Sequence, residues 1–292
     1  MNQHLLFAIA GGDLRQQRLA DMLALDGFEV RITGFDSSPY INSGAKAFES
    51  LAETVNGADC VVLPLPVTHD GACLNTPFSR SVYLMDELYR SLSPGQLVVG
   101  GLINKNTYEK AKEYGFKIID YLEREELSVL NAIPTAEGAI QIAMEELPIT
   151  IHGSNVLVIG YGRCGRVLAK ALQALGANVT ASARKCADFA WMRVQGIRTA
   201  HTDNLRNIGE FDLIVNTVPA LILDEYLLNK VKRDCLIIDL ASKPGGVDLS
   251  VASQLGLRVI WSLSLPGKVA PVTSGEIIKE AILNIIAEEA MQ

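Results

Sequence analysis

Residues 155–175 read NVLVIGYGRCGRVLAKALQAL. The apolar run 156–159 ends in Gly160-Tyr161-Gly162-Arg163-Cys164-Gly165, and a helical pattern follows over 163–175. Few folds accommodate this stretch, because it demands a strand, a tight turn and a helix in immediate succession. That is the context in which G-x-G-x-x-G binds a dinucleotide. The first glycine permits the turn and the second lets a pyrophosphate approach the backbone. The third lets helix and strand pack closely, while the helix N-terminus offers unpaired N–H groups and a partial positive charge to the phosphates. The alternative is a tight turn kept for packing alone.

The pattern around this motif extends it to a whole domain. Strand-like runs at 178–182, 212–216, 235–239 and 257–261, with a weaker one at 197–200, follow it. They are apolar on both faces, as buried parallel strands are. Helix candidates at 187–195, 225–231 and 249–255 alternate with them, which implies right-handed crossovers and a parallel sheet. The N-terminal half repeats the theme more loosely. Strands are predicted at 5–10, 28–33, 59–63, 97–100 and 116–119, and helices at 14–25, 79–92 and 105–114. Gly11-Gly12-Asp13 forms a turn after the first strand, without a full glycine fingerprint.

Two further helices are predicted to join these halves. One covers 136–147, with Pro134 and Thr135 at its start and Pro148 after it. The other begins at Thr273-Ser274-Gly275-Glu276, which has the form of a capping box. Its apolar face (Ile277, Ile278, Ala281, Ile282, Ile285, Ile286) is wide for a helix covering one sheet edge. It is expected to cross back onto the first domain and create a hinged cleft; the alternative is a stripe buried in a dimer. The expected fold class is α/β with two doubly wound, mostly parallel sheets, the second a Rossmann NAD(P)-binding domain. The expected divisions are 1–134 for the substrate domain, 135–152 for the linking helix, 153–272 for the nucleotide domain and 273–292 for the returning helix.

Composition narrows the function. The 292 residues include 49% hydrophobic and 20% charged, enough for a large core and against disorder. The net charge is −7 and the cations are dispersed, which argues against a nucleic-acid or anionic-membrane partner. The five cysteines form no C-x-x-C pair and read as reduced thiols, with Cys164 merely at a variable position of the fingerprint. Four scattered histidines (His4, His69, His152, His201) give no metal-ligand spacing. The apolar stretch 5–10 is too short for a signal peptide or a membrane span, so the chain reads as soluble and intracellular.

An acid ending the second strand of such a domain would bind a ribose 2′-hydroxyl and repel a 2′-phosphate. This chain has Ser182-Ala183-Arg184-Lys185 there instead. Arginine can grip phosphate through two parallel N–H bonds, so the expected cofactor is NADP rather than NAD. Asp188 is close enough in sequence to pair with either cation, in which case both are solvated residues. Thr217, Val218 and Pro219 after the fourth strand, Asp239 and Ala241 after the fifth, and Pro266 and Gly267 farther on are placed to line the nicotinamide end. Asp239 could equally cap a turn.

Four segments, AIAGGDLR at 8–15, IPTAEG at 133–138, DLASKPGG at 239–246 and LPGKVAP at 265–271, resemble the A subunit of bacterial dipicolinate synthase, and the resemblance runs the full length. More distantly the layout is similar to alanine dehydrogenase. The resemblance implies an enzyme that works with a small flavoprotein-like partner, the B subunit of dipicolinate synthase. It implies oxidation of a dihydrodipicolinate-level compound to dipicolinate in the cytoplasm of the mother cell of a sporulating bacterium. NADP⁺ would take the hydride, and aromatisation would supply much of the driving force. The dicarboxylate substrate calls for donors and cations, for which Arg15, Arg124, Asn131, Thr135, Lys243 and Lys268 are the candidates. Arg15 could instead pair with Asp13, and Arg124 could belong to a solvated charge run. Glu137 and His152 are weak candidates for taking a proton, Glu137 being explained by the helix dipole and His152 by a loop contact. The remaining readings are an amino-acid or hydroxy-acid dehydrogenase, a nucleotide-binding scaffold for another protein, and assembly as a homo-oligomer.

Overall fold

A computed structural model describes residues 5–39 and 44–291. The chain divides into two compact units. One holds the described residues up to Ser128 and from Ala270 onward, and the other spans Val129–Val269.

The first unit is built from β1 (Leu6–Ala10), α1 (Leu14–Leu25), β2 (Glu29–Thr33), β3 (Lys46–Ala47), α2 (Leu51–Val55), β4 (Cys60–Val62), α3 (Met85–Ser91), β5 (Leu97–Gly100), α4 (Lys105–Tyr114) and β6 (Lys117–Asp120). Its strands pair in parallel in the order β3-β2-β1-β4-β5-β6. Every residue of β1 is buried, as a central strand covered on both faces requires. A short α5 (Glu125–Leu130) follows.

The second unit contains α6 (Ala132–Glu146), β7 (Asn155–Ile159), α7 (Arg163–Ala174), β8 (Asn178–Ala183), α8 (Cys186–Val194), β9 (Arg198–His201), β10 (Leu213–Asn216), α9 (Glu225–Leu228), β11 (Leu236–Asp239), α10 (Leu249–Gln254), β12 (Arg258–Trp261) and α11 (Leu265–Val269). Its strand order, β12-β11-β10-β7-β8-β9, is again fully parallel. Alternate residues of β7 enter different cores. Val156 and Val158 pack with Leu168, Leu172 and Ala181 under α6 and α7, while Leu157 and Ile159 pack with Ile214, Ile237 and Leu228 on the opposite face. The order reverses between β7 and β10, so the crevice of a doubly wound sheet opens there. The two doubly wound sheets predicted from the alternation of apolar runs are present.

The last helix, α12 (Pro271–Glu289), lies against α1. Ile277, Ile278, Ile282 and Ile285 are buried, at roughly 2 kcal/mol each of gross hydrophobic gain. A Cβ on Gly275 would come within 2.7 Å of the Arg15 carbonyl oxygen, so the helices touch at backbone distance there. Arg124 braces the far end through a two-pronged pair of 2.7 Å bonds to Glu288.

Several local expectations need correction. The helix predicted at 79–92 is confined to Met85–Ser91, because Ser79 and the Arg80 N–H are bound instead to the Asp36 carboxylate at 2.5 and 3.1 Å. The linking helix starts at Ala132 rather than 136, with Pro134 inside its first turn, where a missing N–H costs nothing. Thr135 therefore caps nothing and donates its hydroxyl to the Asn131 carbonyl at 2.7 Å. The Thr273–Glu276 capping box is not used either, since Pro271, with its preset φ, starts the helix two residues earlier. Pro266 and Gly267, expected to line the cofactor from beyond the sheet, lie within the short helix α11.

Candidate functional site

The glycine turn of the second unit separates the roles of its three glycines. Gly160 has φ +95°, and a Cβ there would meet the Thr217 hydroxyl at 2.5 Å. That hydroxyl donates to the Ile159 carbonyl at 2.9 Å and fastens the end of β10 onto the turn. A Cβ on Gly165 would lie 2.2 Å from the Gly160 carbonyl oxygen, which sets how closely α7 approaches β7. At Gly162, by contrast, a Cβ would have nothing within 4 Å. Gly162 is the N-cap of α7, and no side chain caps the helix. The space beside Gly162 is therefore open, with the positive end of the helix dipole behind it. A pyrophosphate fits this donor set. Cys164, in that turn, is pushed up to about 11 by burial and stays a thiol.

The first unit has the same strand order and a similar turn, but the turn is filled. The Gly12 N–H donates to the Asn75 carbonyl at 2.9 Å. A Cβ on Gly11 would meet Thr76 at 2.7 Å and the Asn75 carbonyl at 2.9 Å. Asp13 and Gln16 form a reciprocal capping box over α1. The chain itself satisfies the donors that a phosphate would use, so a dinucleotide fits the second unit and not the first.

Beyond the turn, Ser182 is fully buried and its hydroxyl accepts from Thr202 at 3.1 Å, so it supports the turn from beneath. Arg184 and Lys185 are exposed, Lys185 at the N-cap of α8 without capping it. Asp188 pairs with Arg166 at 2.7 Å, not with either of them. Arg184 instead donates from Nε to Asp203 at 3.0 Å. Asp203 is a residue that reasoning along the sequence missed, since it arrives from the end of β9.

At the ends of β10 and β11 a buried polar cluster holds the loops. Asn216 and Asp239 occupy paired positions on adjacent strands. The Asn216 amide donates to Asp239 at 2.8 Å and to the Val218 carbonyl at 3.0 Å. The Asp239 carboxylate also accepts from the Ala241 and Gly246 N–H groups at 3.1 and 2.7 Å. With 1% exposure, Asp239 acts on the protein itself. A Cβ on Gly246 would overlap the Asn216 amide at 2.1 Å. The Lys243–Pro244 bond in this loop is cis, and the Trp261 indole closes it by donating to the Ala241 carbonyl at 2.9 Å. Thr217, Val218, Pro219 and Ala241 are positioned by this cluster. Asn216 was not among the expected site residues, although Asn and Asp ending successive strands was a visible signal.

The other candidates are dispersed. Arg15 is buried, paired with Asp13 and donating to the Leu65 carbonyl, each at 2.8 Å. Arg124 engages Glu126 and Glu288 with all three nitrogens, which holds it charged. Asn131 keeps its side-chain oxygen buried without a hydrogen-bond partner. Lys243 and Lys268 are exposed and form no ion pair among the described residues. Glu137 is exposed and lines a shallow groove with Ile140, Met144 and Leu175 between α6 and α7. His152 packs over Gly176 before β7 starts. A five-residue strand, about 17 Å long, separates it from the glycine turn, so it sits at the wrong end of the sheet to act there. The family-specific segments 133–138 and 265–271 do meet: a Cβ on Gly138 would lie 3.2 Å from Leu265 and Val269. Among the described residues no cluster could hold a metal ion, and no helix is long and apolar enough to cross a membrane. His4 lies outside the described residues.

Residues 6–122 match the family model of the N-terminal domain of the dipicolinate synthase A subunit. Residues 133–243 match that of the D-isomer specific 2-hydroxyacid dehydrogenase NAD-binding domain. The dipicolinate synthase A subunit of Bacillus subtilis is 32% identical over 97% of this chain and 96% of its own length. The crystal structure of dipicolinate synthase, A chain, from that organism is similar with a TM-score of 0.88 at 33% identity, covering 99% of this chain and 98% of the other. The corresponding crystal structure from Bacillus halodurans gives a TM-score of 0.89 at 30% identity, covering 97% and 98%. The chain belongs to the dipicolinate synthase A-subunit family, and its second unit is a dehydrogenase-type domain for a nicotinamide dinucleotide.

Proposed function

We propose that this chain is the oxidoreductase component that converts a dihydrodipicolinate-level substrate to dipicolinate with NADP⁺ as the hydride acceptor. The observation that carries the reading is the uncapped, open N-terminus of α7 behind Gly162, in a chain alike over nearly its whole length to the dipicolinate synthase A subunit. When bound, the nicotinamide supplies a two-electron acceptor for the hydride. The N–H groups of the first turn of α7 hold the pyrophosphate, and Arg184 and Lys185 hold the 2′-phosphate. Thr217, Val218, Pro219 and Ala241 orient the nicotinamide end, kept in place by Asn216 and Asp239. Lys243 and Lys268 are the uncommitted cations suited to a substrate carboxylate, whereas Arg15 and Arg124 are spent on carboxylates of the chain.

In the reaction one ring carbon gives up a hydride together with its electron pair, a second hydrogen leaves as a proton, and the one electron pair that the proton leaves behind becomes the last π bond of the aromatic ring. Positioning is the main task, and water takes the proton. The chain works in the cytoplasm of a sporulating cell with the B subunit as its partner.

The test supplies the purified chain, with and without the B subunit, with freshly generated dihydrodipicolinate deuterated at the ring carbon and NADP⁺ or NAD⁺. Dipicolinate should appear together with stereospecifically deuterated cofactor. Dipicolinate formed at the same rate without this chain would defeat the proposal, and unlabelled cofactor would leave only a nucleotide-binding scaffold. The cofactor assignment predicts that Arg184→Asp lowers the NADP/NAD ratio of kcat/KM by about a hundredfold, through loss of a bidentate contact and gain of repulsion. An unchanged ratio would refute the clamp.

A further inference from the structure

No acid ends β8, yet the fold brings one in from the next strand. β9 runs parallel to β8 with His201 opposite Ala183. The residues that follow it therefore come to lie beside Arg184. The Thr202 N–H donates to the Ala183 carbonyl at 3.0 Å and the Thr202 hydroxyl to Ser182 at 3.1 Å. These two bonds fix the start of the loop, and the Asp203 N–H adds a third to His201 Nδ1 at 3.3 Å. The Asp203 carboxylate then takes Nε of Arg184 at 3.0 Å, and both side chains stay more than half exposed. Among the described residues it engages no other guanidinium nitrogen. Arg184 and Asp203 stand together on a groove of about 450 Å³, whose other charged walls are Arg206, Asp224 and Lys230.

We propose that Asp203 is a specificity-determining residue, weakening the preference of this site for a 2′-phosphorylated adenosine ribose over a plain one. The inference rests on the assignment of Arg184 to the 2′-phosphate. A carboxylate beside that arginine offsets part of its charge and repels a phosphate dianion, and it can accept a hydrogen bond from a free 2′-hydroxyl. Arg184 favours the phosphorylated form through its remaining N–H groups. The pair therefore keeps the two affinities closer together than an unopposed Arg184-Lys185 would.

The test is calorimetric titration of the full-length chain with NADP⁺ and NAD⁺ separately, at one low ionic strength, without substrate. Asp203→Asn keeps an oxygen acceptor for Arg184 Nε and removes the charge. The ratio Kd(NAD⁺)/Kd(NADP⁺) should rise about tenfold, with Asp203→Ala moving in the same direction. An unchanged ratio in both variants would overturn the proposal. So would weaker NADP⁺ binding with NAD⁺ unaffected, which would make Asp203 only a brace for Arg184. Arg184→Met separates this from the parent reading. If it binds NADP⁺ like the unaltered chain while Asp203→Asn still raises the ratio, the arginine clamp is wrong and Asp203 stands. If the unaltered chain binds neither nucleotide, both fall.

Discussion

Gly165→Val is expected to abolish measurable binding of NADP⁺ and NAD⁺, a loss of at least about a hundredfold in Kd, and to lower the melting temperature as well. The carbonyl oxygen 2.2 Å from the added Cβ belongs to Gly160, whose N–H is tied to the Ser182 carbonyl at 3.1 Å and which follows Ile159, whose carbonyl accepts from the Thr217 hydroxyl. Neither side can yield cheaply, so α7 must retreat from β7 and carry its first-turn N–H groups with it. Overpacking of this kind costs about 1–3 kcal/mol or more. Gly162→Val is the informative partner. Its Cβ enters open space, so the melting temperature should hold while binding falls by a similar factor. Calorimetry and thermal unfolding of the two variants separate the roles. Undiminished binding by Gly162→Val would mean that the open space before α7 is not the phosphate seat.

What the sequence discloses follows the range of the forces involved. Strands β7, β10 and β11 were legible because three or four apolar residues follow one another in each, and the crossover helices because a 3.6-residue period lies between. The two-residue strand β3 has no such run and exists only because β2 pairs with it. α11 was hidden because proline and glycine read as a turn, whereas proline is well suited to a first helical turn. The glycine fingerprint was visible, but whether its donors are free was not. Gly11-Gly12 in the first unit looks nearly as permissive and is closed by Asn75, more than 60 residues away. The same limit governs the charged candidates. Arg124 is paired with Glu126 in sequence and with Glu288 in space, and no local pattern foretells the second. The sequence at the end of β8 shows only Arg184 and Lys185, because Asp203 reaches that spot through strand register.

The cluster at Asn216 and Asp239 predicts the largest loss of stability from a single side chain. Asp239→Leu removes the acceptor for the Asn216 amide and for the Ala241 and Gly246 N–H groups, all in a site from which water is excluded. An unsatisfied buried donor costs about 1–3 kcal/mol, and three in contact should together cost on the order of 4 kcal/mol. For a chain of this length that corresponds to a fall in melting temperature of about 7 °C. Asn216→Leu leaves one of those acceptor sites unfilled and should cost about half as much. The double variant should be less destabilised than the sum, since the amide and the carboxylate no longer desolvate each other's unmatched partner. Strict additivity in this cycle would show that the two residues act independently. A fall below about 2 °C for Asp239→Leu would show that water reaches the Ala241 and Gly246 N–H groups. The same loop carries Ala241 and Lys243, so a stable remnant of Asp239→Leu should still bind the adenosine half of the cofactor while hydride transfer is lost. Binding of ADP-ribose kept within about threefold, with turnover reduced at least about a hundredfold, is the signature that separates misplacement of the nicotinamide end from general unfolding.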